Sequence, residues 1–149
     1  METNNSEKRT IEIYSDGGAW PNNGTGNGGW ACIIKNGESI TELSGNCEKT
    51  TNNRMELEAI LQALNFIKLN YVANDPIVIY SDSQWAINAC NGNWHITKNL
   101  DKVKEIKWIY QTYMMDIEWK WVKSHSGNTF NERCDVLASA EMKKLTKNE

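Results

Sequence analysis

The chain has 149 residues, of which 40% are hydrophobic and 23% are charged, and its net charge is −3 with a pI near 5.5. This length suits one domain with its own core. The acidic balance argues against a protein that coats nucleic acid by charge alone, and no apolar run approaches the roughly 20 residues that span a bilayer.

Residues 1–9 are polar and lack the apolar segment of a secretion signal, so we expect them to be a disordered lead-in to a single domain over residues 10–146. The cysteines show no CxxC spacing. We therefore expect reduced thiols in a cytoplasmic protein rather than zinc ligands or disulfides. The cysteine positions are Cys32, Cys47, Cys90 and Cys134.

The first half of the chain predicts a three-stranded meander followed by a helix. The segment over residues 20–29 is rich in Asn and Gly and is predicted to be a loop, and Asn36-Gly37 is typical of a hairpin turn. The helix is predicted to start with Asn53 at its N-cap and to end near Asn70, with apolar residues at helical spacing. The predicted strands cover residues 10–16, 29–35 and about 39–44.

The second half predicts two more strands and three helices. The last helix is predicted to turn Val136, Leu137, Ala140 and Leu145 inward, and the tryptophans are expected mostly in the core. The whole order predicts an α/β fold with a five-stranded mixed sheet and helices on both faces. The strands are predicted at residues 77–80 and 117–121, and the helices at 84–91 with Ser83 as cap, from about 100 to 113, and 131–145.

Four acids stand at the ends of separate predicted elements. Asp16 and Asp82 each follow a strand, while Glu56 and Asp135 lie in the first turns of helices. Each has an ordinary explanation taken singly, because acids shape turns, cap helices and favour helix N-termini, and Glu56 would fit a capping box with Asn53. Together they predict one rim of carboxylates, since ligands collect at strand ends in α/β sheets.

Such a rim needs positive charge. Two carboxylates about 4 Å apart repel each other by about 4 kcal/mol at an effective dielectric constant near 20. Hard divalent cations with oxygen ligands are the usual answer to this repulsion, and a pair of Mg²⁺ ions suits the hydrolysis of phosphodiesters. The acids therefore predict a metal site for phosphodiester chemistry.

Around these acids the sequence resembles the type 1 ribonuclease H family. The resemblance implies the ribonuclease H-like fold and an endonuclease that hydrolyses the RNA strand of RNA–DNA hybrids, leaving 5′-phosphate and 3′-hydroxyl ends. The matching stretches follow the family's order and are YSDGG at residues 14–18, TTNNRMEL at 50–57, YSDSQ at 80–84, WVKSHSG at 121–127 and NERCD at 131–135.

The resemblance also implies a role for individual residues. Asp16, Glu56, Asp82 and Asp135 would be the acids that bind two Mg²⁺ ions, which Mn²⁺ can replace, with Asp16 between the two ions. His125 would help proton transfer or product departure, in keeping with a side chain that titrates near neutrality.

Further positions match the family's contacts with the hybrid. Amides suit this task because they donate to and accept from a 2′-hydroxyl and base edges without demanding a sequence, although surface hydrogen bonding or helix capping would also explain such residues. The implied contacts are Asn52 and Asn53 in the minor groove, Gln84 on the RNA side, Thr51 and Asn99 at a DNA phosphate, and Trp94 near the DNA strand.

Two segments depart from the family's common form. Residues 89–98 are compact and carry one formal positive charge, on Lys98, where many members have a basic helical insertion called the handle. Because nonspecific affinity follows the number of phosphate contacts, the departure bears on substrate binding more than on chemistry. The segment WPNNG at residues 20–24 also differs from the commoner form, which weakens any contact assigned to Asn22 or Asn23.

Two other classes of protein remain as alternatives to the hydrolase. One is a catalytically idle module that binds RNA–DNA hybrids on the same fold, although such modules usually lose one or more acids. The other is a nuclease of related fold that acts on DNA, although such enzymes lack the stretch at residues 50–57. A monomer is expected in each case.

Overall fold

The computed structural model describes residues 9–71 and 75–146, so the predicted lead-in lies outside the described residues except for Arg9. The order of strands and helices is the predicted one. The elements are β1 (Ile11–Trp20), β2 (Gly26–Asn36), β3 (Ser39–Thr50), α1 (Asn52–Asn70), β4 (Ile77–Ser81), α2 (Gln84–Cys90), α3 (Leu100–Thr112), β5 (Ile117–Trp121) and α4 (Thr129–Thr146).

The strands form one mixed sheet in the order β3-β2-β1-β4-β5. The meander β1–β2–β3 is antiparallel, whereas β4 runs parallel to β1 and β5 runs parallel to β4. Parallel neighbours need a crossover between them, and α1 supplies it on the way from β3 to β4. The predicted five-stranded mixed sheet is confirmed.

The two faces of the sheet carry separate cores, because successive side chains of a strand point in opposite directions. Ile11 and Ile13 of β1 pack with α1, α2 and α3 in the larger core, whereas Tyr14 packs with Ala31, Cys134 and Ala138 in a smaller core under α4. Helices therefore cover both faces, as predicted. None of the helices in residues 9–71 and 75–146 is long and apolar enough to cross a membrane.

The strands of the meander are longer than predicted. Only residues 21–25 connect β1 to β2, so the loop predicted over residues 20–29 is present but shorter, and β3 continues to Thr50. The glycines that favoured a loop are needed inside β2. A Cβ atom on Gly29 would overlap the carbonyl oxygen of Ala138 and lie 2.8 Å from the Met142 nitrogen, so glycine lets α4 approach the sheet closely.

The buried face of α4 also differs from the prediction. Val136 is 58% exposed and Ala140 is exposed, whereas Ala138 is buried against the glycine-rich part of β2. Glu141, also buried, accepts hydrogen bonds from Ser44 Oγ and Asn46 Nδ2 of β3 at 2.8 and 2.9 Å. Leu137 does pack against the smaller core and Leu145 is half-buried, so apolar spacing selected only part of the buried face. The rest was missed because the contact with β2 needs small side chains and the contact with β3 is polar.

The expectation that most tryptophans lie in the core is wrong as well. Trp20 is 76% exposed and Trp108 is 57% exposed, and Trp94 and Trp121 are exposed too. The fully buried large side chains are mainly isoleucine and leucine, which fill the narrow space between sheet and helices.

Replacing Gly29 by alanine is expected to destabilise the fold, because its Cβ atom would meet helix backbone that has no side-chain freedom to move away. Overpacking of this kind typically costs about 1–3 kcal/mol. Gly18→Ala is the matched control, since its Cβ would find Asn52 Oδ1 at 3.6 Å, an ordinary contact. Urea unfolding of both variants measures the difference, and equal midpoints would contradict the close packing of α4 on β2.

Candidate active site

Two of the predicted acids lie side by side where the pairing of β1 with β4 ends, with Asp16 inside β1 and Asp82 directly after β4. Ser15 of β1 pairs in parallel register with Ser81 of β4, and the next residues along the two strands are Asp16 and Asp82. Both therefore stand at the same edge of the sheet, which is where ligands collect in open α/β sheets.

The third acid reaches this edge because α1 crosses very close to β1. A Cβ atom at Gly17 would overlap the carbonyl carbon of Met55 and lie 2.7 Å from the backbone nitrogen of Glu56. Only glycine permits this approach, and it sets the first turns of α1 against the end of β1. Glu56 is thereby directed to the sheet edge.

The helix begins two residues earlier than predicted. Thr51 is the N-cap, and its hydroxyl accepts from the Arg54 backbone N–H at 3.3 Å. Asn53 is consequently not the cap, and Glu56 is not part of a capping box. The explanation of Glu56 as a capping side chain is excluded.

The three acids form a tight cluster. Carboxylate oxygens of Asp16, Glu56 and Asp82 lie within 4.8 Å of one another, and Asp16 and Glu56 are both buried. Glu56 Oε1 is buried without a hydrogen-bond partner. A buried acceptor without a donor, among oxygen ligands only, fits a hard divalent cation such as Mg²⁺ or Mn²⁺.

Burial and mutual repulsion raise the pKa values of the two buried acids. Burial is the largest cause for Asp16, followed by the Asp82 and Asp135 charges, and the Gly17 N–H opposes them only in part, so its pKa rises to about 8. The pKa of Glu56 lies well above its ordinary range for the same reasons, with burial again first and Asp16 next. The cluster therefore favours bound protons or cations at neutral pH.

Asp135 and His125 line the same cleft from α4 and from the loop before it. The cleft has a volume of about 450 Å³, and both residues line it together with the three clustered acids. Asp135 lies on an exposed part of α4, outside the group of oxygens within 4.8 Å. His125 lies in the loop before α4 with a positive φ of 56°.

The implied substrate residues fall into two groups. Asn52 and Asn53 line the cleft. Asn52 is fixed by two hydrogen bonds: its Oδ1 accepts from the Ala19 backbone N–H at 2.6 Å, and its backbone N–H donates to Asn22 Oδ1 at 2.8 Å. The other four lie outside the cleft lining. They are Thr51 at the N-cap of α1, exposed Gln84 at the start of α2, Asn99 at the N-cap of α3 and Trp94, which is 47% exposed.

Two residues that were not singled out from the sequence support these positions. The Arg54 guanidinium donates to Asn99 Oδ1 at 3.1 Å and to both oxygens of Asp101, at 3.1 and 2.8 Å, which ties α1 to the start of α3. Ser124 Oγ donates to Asp82 Oδ2 at 2.7 Å. Both residues lie within matching motifs, Arg54 at residues 50–57 and Ser124 at residues 121–127, but neither contact is predicted by the sequence.

The segment between α2 and α3 is short, as the sequence indicated. Ser83 caps α2 by accepting from Ala86 N–H at 3.0 Å, as predicted, and the helix ends at Cys90. Residues 91–99 form bends up to the start of α3, so the described chain has no helical insertion here.

Comparison with known proteins identifies the class that this fold and cleft define. The chain matches the family model for RNase H over residues 8–143. It is 39% identical over 145 residues to Ribonuclease H of Helicobacter pylori (strain HPAG1), covering 92% of this chain and 96% of that protein. It is 36% identical over 154 residues to Ribonuclease H of Acetivibrio thermocellus, covering 93% and 99%.

The chain therefore belongs to the ribonuclease H family, as an enzyme of the type 1 group. A solved structure supports the fold independently. LC11-RNase H1 in complex with an RNA/DNA hybrid superposes with a TM-score of 0.79 at 22% identity, covering 91% of this chain and 99% of that one.

We expect the stability of the metal-free protein to fall as pH rises from about 4 to 8. Asp16 has an ordinary pKa of 3.8 and a folded-state pKa of about 8, so in this range the unfolded chain binds fewer protons than the folded one. Stability falls with pH wherever that holds. The Asp16→Asn variant should show a flatter profile and a higher melting temperature at pH 8, by about 2–4 °C for each kcal/mol of repulsion removed.

Thermal unfolding in EDTA across this pH range, followed by circular dichroism, measures both effects. Asp116→Asn, at an exposed acid outside the cleft, is the control and should keep the wild-type profile. An equally steep decline in Asp16→Asn would contradict the raised folded-state pKa of Asp16.

Proposed function

We propose that this protein is an endonuclease that hydrolyses the RNA strand of RNA–DNA hybrids. The observation that carries the proposal is the cluster of Asp16, Glu56 and Asp82, whose oxygens lie within 4.8 Å of one another in an open cleft. Three acids from three separate elements, with an unpartnered buried oxygen on Glu56, are costly to the fold unless a cation is bound.

We propose that Asp16, Glu56, Asp82 and Asp135 hold two Mg²⁺ ions, for which Mn²⁺ can substitute. When bound, the ions would lower the pKa of an attacking water and stabilise the leaving 3′ oxygen, which corresponds to 5′-phosphate and 3′-hydroxyl products. Asp16, which feels the charges of both Asp82 and Asp135, would serve both ions, as the resemblance to the family implies.

His125 is proposed to move protons at the same site or to assist the departure of product. It lines the same cleft as the buried acids, in a loop whose next residues lead into α4. Imidazole exchanges protons near neutral pH, which the carboxylates cannot do while they bind cations.

Recognition of the hybrid is proposed to begin with the two asparagines. The Oδ1 atom of Asn52 is occupied by the Ala19 N–H, so its amide nitrogen is left to donate to a 2′-hydroxyl. Asn53 lines the cleft beside it. Gln84, Thr51, Asn99 and Trp94 would make further contacts around the cleft, and Arg54 would hold Asn99 in place.

A cytoplasmic monomer is proposed as the working form. Cys32, Cys90 and Cys134 are buried as free thiols and Cys47 is an exposed one, which suits a reducing compartment.

An end-labelled RNA–DNA hybrid with Mg²⁺ tests the activity directly. We expect cuts in the RNA strand only, none in DNA duplex or RNA duplex, and loss of cutting in EDTA. Asp16→Asn should lower the rate by about 10³-fold or more, because the electrostatic stabilisation of the transition state is lost. The exposed acid variant Asp116→Asn should keep wild-type activity.

Each other result selects another class of protein. Binding of the hybrid without cutting, in Mg²⁺ and in Mn²⁺, would identify an idle hybrid-binding module. Cutting of DNA duplex at the same rate would identify a nuclease that acts on DNA.

A further inference from the structure

We propose that a lysine-lined surface next to the cleft binds the phosphate backbone of the hybrid beyond the cut. We call it the α3 groove, and it lies between residues 92–96 and the exposed face of α3, with Lys104 and Lys107 along one wall. The proposal rests on the proposed function, since it names how the same substrate is held outside the cleft.

The α3 groove is continuous with the cleft. Asn53 lines the cleft and also a neighbouring depression that contains Trp94, His95 and Lys98. Trp94 and His95 in turn line the α3 groove. A strand whose scissile phosphate lies at the acids would therefore find an open path over this surface.

The charges on α3 favour a polyanion in the α3 groove. Lys104 and Lys107 are three residues apart and so lie on one face of the helix. Neither forms an ion pair with any residue in 9–71 or 75–146, whereas Lys102 on another face is paired with Glu58. Asp101, the acid nearest the start of α3, is neutralised by Arg54.

The two lysines differ in exposure, since Lys104 is exposed and Lys107 is half-buried in the groove. Lys107 Nζ lies 3.8 Å from the position that a Cβ atom at Gly92 would take, so it reaches across to the opposite wall. Glu105, the remaining acid of α3, is not part of the lining. The chain as a whole carries a net charge of −3, so these lysines form a local positive patch beside an acidic cleft. Phosphate groups are the anions that such a patch binds in a nucleic acid.

The position of this surface explains how a chain without a helical insertion can still grip a duplex. The lysines are on α3 itself and on the short segment before it, at Lys98. The exposed ring of Trp94 between them offers a flat apolar face to a sugar or base.

The test replaces Lys104 and Lys107 together by glutamine. The control replaces Lys68 and Lys143 by glutamine, which removes the same charge at the last turns of α1 and α4. Phosphate contacts outside the cleft stabilise the bound substrate and the transition state equally. We therefore expect the Lys104→Gln/Lys107→Gln variant to have a KM for the hybrid about 10-fold higher at physiological salt, with kcat unchanged. The slope of log affinity against log salt should fall by about 1 for each lysine removed.

Two results would overturn the proposal. One is a KM and a salt slope in the Lys104→Gln/Lys107→Gln variant equal to those of the control. The other is a fall in kcat with KM unchanged, which would indicate damage to the site rather than loss of a binding surface.

Hybrid binding measured by fluorescence anisotropy in EDTA separates this proposal from the proposed function. If wild-type protein cuts no substrate but the Lys104→Gln/Lys107→Gln variant alone loses hybrid affinity, the enzyme assignment fails and the α3 groove stands. If wild-type protein cuts the hybrid and all variants bind it equally, the α3 groove fails and the enzyme assignment stands.

Discussion

Repulsion among buried carboxylates is the constraint on which the rest of this structure depends. Asp16, Glu56 and Asp82 are brought within 4.8 Å by three separate elements, and burial with mutual charge raises the pKa of Asp16 to about 8. Such a cluster opposes folding unless protons or cations are bound. The fold holds it in place because the parallel pair β1–β4 fixes two acids and Gly17 admits the third.

Ion pairs join the helices around the site without placing further acidic side chains in the cleft. Arg54 joins α1 to Asp101 of α3, and Lys102 joins α3 back to Glu58 of α1. Asp101 and Glu58 are therefore matched by cations, whereas Asp16, Glu56 and Asp82 take part in no ion pair among the described residues. In the proposed function, the unpaired negative charge of these acids provides the affinity for metal ions. Lys104 and Lys107 of α3, which form no ion pair among the described residues, would bind the phosphates of the substrate.

The sequence allowed much of this to be predicted, for identifiable reasons. The runs before Asp16 and Asp82 predict strands, and that pattern predicts a common position for both acids from local sequence alone. The structure has this position, although β1 continues through Asp16 to Trp20. Strand lengths around Gly26 and Gly29, the buried face of α4 and the cap at Thr51 were mispredicted, because tertiary contacts decide them. Gly29 makes room for a helix over a hundred residues away, and the first residue of α1, Asn52, accepts from the distant Ala19 N–H. The hydrogen bond from Ser124 to Asp82 joins residues 42 positions apart, and only the folded chain brings them together.

The most direct measurement of the central claim is the number of protons released when Mg²⁺ or Mn²⁺ binds. Titration calorimetry at pH 7 in buffers of different ionisation enthalpy gives this number. Asp16, with a pKa of about 8, is largely protonated at that pH. We therefore predict that each protein molecule releases about one proton or more when the metal binds. Binding without proton release would contradict a cluster whose repulsion the cations relieve.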